Sequence, residues 1–129
     1  MKKQTKSHFL LIGKTIFPFD ILITTASDIE LHKYVEKTKH YKFSEGEKRD
    51  LEMEGHGRTC MLENGATIIR LEKTKNKIGI DIPTLTHEIE HAVFFILNRV
   101  GITHTKESDE IFSYYQAYVM KEALDYFDK

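Results

Sequence analysis

The residues with the most chemistry to offer are His87-Glu88-Ile89-Glu90-His91. On a helix, side chains four apart share one face. His87 and His91 can then turn imidazole nitrogens toward one cation. Glu88 stands one step round and can reach a water beside that cation without being a ligand. Two nitrogen ligands and a general base make a site where a divalent metal, zinc above all, activates water. Structural zinc takes four protein ligands, whereas catalytic zinc takes three and keeps one position open. Acids for the third place stand at Glu107, Asp109 and Glu110. Glu110 is preferred, because Glu107 is nearer the helix start and more open to solvent. Asp109 is placed behind the site, as an acceptor for a ligand histidine. Tyr114, one turn past Glu110, could donate to a reacting oxygen or to Glu110 itself. His104, just upstream, is a second such donor.

Two helices must position these groups. Leu85, Ile89, Val93, Ile96 and Val100 form one apolar face, and Ala92, Phe94, Phe95 and Leu97 widen it. A helix so patterned packs centrally. Pro83 opens it, either just before a Thr84 cap or with Thr84 and Thr86 in the first turn. Gly101 ends it. A loop over 101–105 leads to a second helix over 106–127, capped by Thr105 or Ser108. Its expected inner side is Ile111, Tyr115, Tyr118 or Val119, Glu122 and Tyr126. A five-residue link predicts antiparallel packing, which turns Glu110 back toward His91.

Upstream, residues 9–12 and 19–25 read as strands. A helix runs from Ser27 or Asp28 to about Lys39, with Ser27 and Glu30 spaced as a capping box and Leu31, Tyr34 and Val35 as its buried stripe. Ser44 and Glu47 repeat that spacing over 44–53. Residues 59–62 and 66–71 flank Glu63-Asn64-Gly65, a hairpin signal. Lysines make 73–77 a solvated turn, and alternation over 78–82 predicts one more strand. The fold class is therefore α+β, a small and mostly antiparallel sheet followed by two long C-terminal helices. One domain spans 1–129, β-rich to 82 and helical from 83.

Composition narrows the function. A chain of 129 residues and 15.1 kDa is one domain by size. Nineteen basic and twenty acidic residues leave a net charge of −1, so no nucleic-acid partner is expected. The single cysteine, Cys60, excludes an internal disulfide and any Cys-rich zinc cluster. No apolar run is long enough for a membrane span. The basic head, Lys2, Lys3 and Lys6, precedes only four apolar residues, too few for a secretory signal, so a cytoplasmic setting is expected. His56, between Gly55 and Gly57, reads as part of a flexible turn, on the same side of its strand as Cys60.

His87-Glu88-x-x-His91 with Glu110 in the next helix resembles the gluzincin pattern of zinc metallopeptidases. The length, the small preceding sheet and the glycine-ended motif helix resemble minimal zincin domains. These include small cytoplasmic or phage-encoded zincin-like proteins and peptidase domains related to antirepressor-cleaving proteases. Residues 87–121 carry the likeness. It implies that His87, His91 and Glu110 bind zinc, that Glu88 activates water, and that a peptide or protein is hydrolysed. Tyr114 stands where a gluzincin often completes Glu-x-x-x-Asp. The residues after His91, Ala92-Val93-Phe94-Phe95, lack the continuation of a three-histidine metzincin. An edge strand beside the cleft, 78–82 or 66–71, would hold extended peptide. The alternative is a non-catalytic metal-binding or protein-interaction protein of phage or mobile-element type. Glu88 discriminates, since a binding role needs no acid beside two facing histidines.

Overall fold

The computed structural model describes residues 7–13 and 17–129, so the basic head at 1–6 lies outside the described residues. Four short strands, β1 (Phe9–Ile12), β2 (Ile21–Thr24), β3 (Gly57–Met61) and β4 (Thr67–Leu71), form one sheet in the order β1-β2-β4-β3. β1 pairs antiparallel with β2, and β3 with β4. The central pair, β2 with β4, is parallel. The sheet is therefore mixed, with two of its three pairings antiparallel in keeping with the expectation of a mostly antiparallel sheet and the central one parallel. A parallel neighbour needs a crossover, and here it runs through two helices and then β3, which carries the chain back along the sheet edge to the start of β4.

Those helices are α1 (Asp28–Lys39) and α2 (Glu45–Asp50). Both begin with complete capping boxes, Ser27 with Glu30 and Ser44 with Glu47. Leu31 and Val35 are buried as expected, while Tyr34 stays partly open and stacks on Phe9. The hairpin between β3 and β4 closes through a three-residue loop. Gly65 N–H donates to Leu62 O at 2.9 Å and Leu62 N–H to Ala66 O at 2.7 Å. Only Gly65 takes a positive φ there, +92°, the usual form of a three-residue hairpin loop.

Strand alternation divides the core. Ile21, Ile23, Ile69 and Leu71 face the C-terminal helices, α3 (Ile82–Arg99) and α4 (Asp109–Phe127). Leu22, Cys60 and Ile68 face the other way, with Leu31, Val35, Phe43 and Leu51. Both faces of β2 and β4 are covered, so every residue of those strands is buried, Thr24, Thr67 and Arg70 included.

The expected strand at 78–82 does not form. Asn76 bends the chain instead. Its Nδ2 donates to Ile80 O at 2.6 Å, and its Oδ1 accepts from Gly79 N at 2.8 Å. Gly79 has φ +82°, and Ile80 drops into the core from this turn. Asp81, not Thr84, then caps α3, accepting from Thr84 N at 3.1 Å and Thr84 Oγ1 at 2.7 Å, with Pro83 in the first turn. Gly101 follows the helix at φ +88°.

α4 starts three residues later than its pattern suggests. Thr105 and Ser108 bond reciprocally, Ser108 N to Thr105 Oγ1 at 3.3 Å and Thr105 N to Ser108 Oγ at 2.8 Å. Thr105 thus caps a separate turn, and Ser108 makes no side-chain cap for α4 itself. The helices are antiparallel, since Thr86 meets Met120 at one end and Phe94 meets Phe112 at the other. The buried face of α4 is Phe112, Tyr115, Val119, Ala123 and Phe127, so the expected stripe holds at Tyr115 and Val119. Ile111 and Tyr118 are exposed instead. On α3, Val100 is exposed as well, at the helix end.

Candidate metal centre

α3 buries Leu85, Ile89, Ala92, Val93, Ile96 and Leu97 and leaves His87, Glu90 and His91 at its surface. The helix is central on one side only, so its polar stripe meets solvent. One turn apart on that stripe, His87 and His91 bring their Nε2 atoms within 3.2 Å of each other. Two imidazole nitrogens on one tetrahedral zinc, each 2.0–2.1 Å from it, stand about 3.3 Å apart. The rings are therefore already spaced for one shared ion. They lie nearly perpendicular, at 86°, and His91 stacks on Phe95.

Glu88 behaves differently from its neighbours. It turns under the helix toward β3 and is buried, at 7% exposure. The Thr59 hydroxyl donates to Glu88 Oε1 at 2.6 Å and lies 3.1 Å from the Glu88 carbonyl oxygen. Gly57 lets the strand come this close. A Cβ there would stand 2.8 Å from Thr84 Cγ2 and 3.0 Å from Glu88 Cγ. One Glu88 oxygen is thus held by the sheet, and Oε2 remains for a proton.

The third ligand is not brought in. Among the described residues, no group of three or more His, Cys, Asp or Glu side chains converges as a metal set. The helix register explains the position of Glu110. The Thr86–Met120 and Phe94–Phe112 contacts set Glu110 level with Ile96. That is five residues past His91, about 7 Å along the axis. Tyr114 comes level with Ala92, just past His91, and is 71% exposed. Asp109 and His104 hold each other instead of a ligand histidine, Nε2 to Oδ1 at 2.7 Å. The His104 ring also packs on Phe94 and Phe112. Glu107 lies in the turn before α4.

β3 is the sheet edge beside this site. The two segments expected to hold extended peptide do not serve, because 66–71 contributes β4, an inner strand, and 78–82 forms a turn and the helix start. Thr59, Gly57 and His56 were not singled out for the site by their types. The hairpin register could have found them. The pairs Gly57–Leu71 and Met61–Thr67 centre on the Asn-Gly loop, and the same register sets His56 opposite Glu72. His56 lies in the turn that leads into β3, as expected, and is paired there. Its carbonyl accepts from Glu72 N at 3.0 Å, and its Nδ1 pairs with the Glu72 carboxylate. It does not share a site with Cys60, which is buried under α1 and α2 with its thiol pushed up to about 11 by desolvation.

No helix among the described residues is long and apolar enough to cross a membrane. Compared with known proteins, the chain matches no family model, no curated protein and no solved structure.

Proposed function

We propose that this protein is a zinc-dependent peptidase that cuts a peptide or protein substrate with water. The observation that carries this reading is the pair of Nε2 atoms 3.2 Å apart on exposed rings, with the carboxylate of Glu88 buried one step round the same helix. A bound zinc ion would supply a Lewis acid that makes water nucleophilic at neutral pH. His87 and His91 would hold it, and Glu110 is the acid proposed for the third place, although it stands about 7 Å further along α3. Glu88 supplies the base. Thr59 fixes Oε1, so the carboxylate keeps one orientation and takes up a proton at Oε2. The edge of β3 offers unpaired backbone groups beside Glu88, where an extended peptide can add as a further strand. A purely binding role gives no reason to bury an acid against the sheet beside two facing histidines.

The test is metal content and cleavage on untagged protein. Wild type is expected to hold about one zinc per chain and to cut members of a mixed peptide library read by mass spectrometry. His87→Ala and His91→Ala should lose the metal, and Glu110→Ala should weaken it. Glu88→Gln should keep the metal and lose cleavage. Wild type that takes up no zinc when it is added back refutes the reading.

A further inference from the structure

The cleft beside Glu88 has another histidine on its wall. His56, Gly57, Pro83, Thr84, His87 and Glu88 line an open groove of about 340 Å³. His56 lies at the end of the edge strand, and His87 and Glu88 come from the helix. His56 is held twice by Glu72, through its carbonyl and through Nδ1. A carboxylate on Nδ1 orients the ring, favours its protonated form and leaves Nε2 as the outward donor. The Glu72 hydrogen bond and charge push the His56 ring above the ordinary histidine value, and Asp81 adds to this. Glu72 pairs with the ring, and the other titratable groups lining the grooves that His56 borders are Asp81, His87 and Glu88, around the start of α3. Asp81 is itself engaged by Thr84.

We propose that His56 is a further catalytic residue, whose Nε2–H donates to the carbonyl oxygen of the amide lying in this groove. The inference rests on the peptidase reading and adds a residue to it. In the reaction, the oxygen of water bonds to the carbonyl carbon and one of its protons passes to Glu88 Oε2. The C–N bond breaks, and that proton ends on the leaving nitrogen. The second proton leaves with ionisation of the acid product. His56 keeps its own proton throughout and lends it as a hydrogen bond while negative charge gathers on the carbonyl oxygen. Donors placed where charge develops act mainly on kcat.

The experiment compares zinc-loaded wild type, His56→Ala and Glu72→Gln on a peptide that wild type cuts. His56→Ala is expected to lower kcat by about 100-fold, with KM and zinc content little changed. Activity should fall as pH rises through the His56 value, and Glu72→Gln should move that limb to lower pH. In metal-free protein, NMR titration of the His56 ring should show the same downward move, with no need of activity. Unchanged kcat in His56→Ala, or a kcat loss that tracks lost zinc, overturns the proposal and leaves the peptidase reading standing. A ring that titrates identically in Glu72→Gln also overturns it. Wild type that binds no zinc or cuts nothing overturns the peptidase reading, and His56 with it.

Discussion

Thr59→Val asks whether the sheet holds the Glu88 carboxylate. Valine keeps the shape and strand preference of threonine and removes only the hydroxyl. That hydroxyl donates to Glu88 Oε1 at 2.6 Å in a place where Glu88 is 7% exposed. A hydrogen bond to a charged group contributes about 1.5–3 kcal/mol, and an unmet buried acceptor costs a similar amount. The expected loss is about 2 kcal/mol, which in urea lowers the unfolding midpoint by about 1 M at an ordinary slope for this size. The assay is urea unfolding followed by circular dichroism, for wild type, Thr59→Val, Glu88→Gln and the double variant. The Thr59 change should cost less in the Glu88→Gln background, because a neutral amide accepts a weaker bond. A coupling of about 1 kcal/mol or more is expected. If Thr59→Val costs under about 0.5 kcal/mol in both backgrounds, the hydroxyl does not hold the carboxylate and the account of Glu88 fails.

Other consequences are as direct. Gly57→Ala sets a Cβ 2.8 Å from Thr84 Cγ2, so β3 and α3 must part; a cost of about 1–3 kcal/mol is expected by thermal melting. Arg70→Met removes a buried guanidinium that donates to the carbonyls of Ala26 and Leu51 and pairs with Asp28. Asp28 is largely exposed, so most of the expected loss of about 2–3 kcal/mol in urea comes from the two abandoned carbonyls. Glu47 gives a pH test. Burial pushes its carboxyl up, but hydrogen bonds from Glu63 N, Ser44 N and the Tyr41 hydroxyl outweigh this and hold it below the ordinary value. Its contribution is therefore present above about pH 4.3, the usual glutamate value, and is lost as pH falls through its lower folded value. Melting temperature should drop between pH 5 and pH 3, and Glu47→Gln should shrink that drop.

Much of this molecule is legible one residue at a time. The capping boxes at Ser27 and Ser44, the hairpin around Gly65 and the stop at Gly101 are local, because each is decided by groups within a few positions. The facing of His87 and His91 is local too, since one helical turn sets it whatever the helix packs against. Alternation over 78–82 predicts a strand, but Asn76 and Gly79 make a turn there in which the Asn76 side chain takes up Gly79 N and Ile80 O. On the inner face of α4 the pattern leaves Tyr118 and Val119 as alternatives, of which Val119 is buried, and it places Ile111 inside where the structure exposes it, because aromatics all round the helix blur its period.

Tertiary structure decided the rest. The parallel pairing of β2 with β4 depends on a connection of two helices and the edge strand β3 that returns the chain beside β2, and no local pattern states that. The burial of Glu88 depends on Gly57 and Thr59, twenty-nine and more residues away, arriving against α3. The height of Glu110 along α3 depends on a register set by Phe94 against Phe112, a matter of side-chain packing between helices. The chain by itself determines which groups can do chemistry and which of them share a face. Which carboxylate is buried, which histidine lines the groove and how far the third acid stands are set by contacts distant in sequence, because packing joins residues without regard to their separation along the chain.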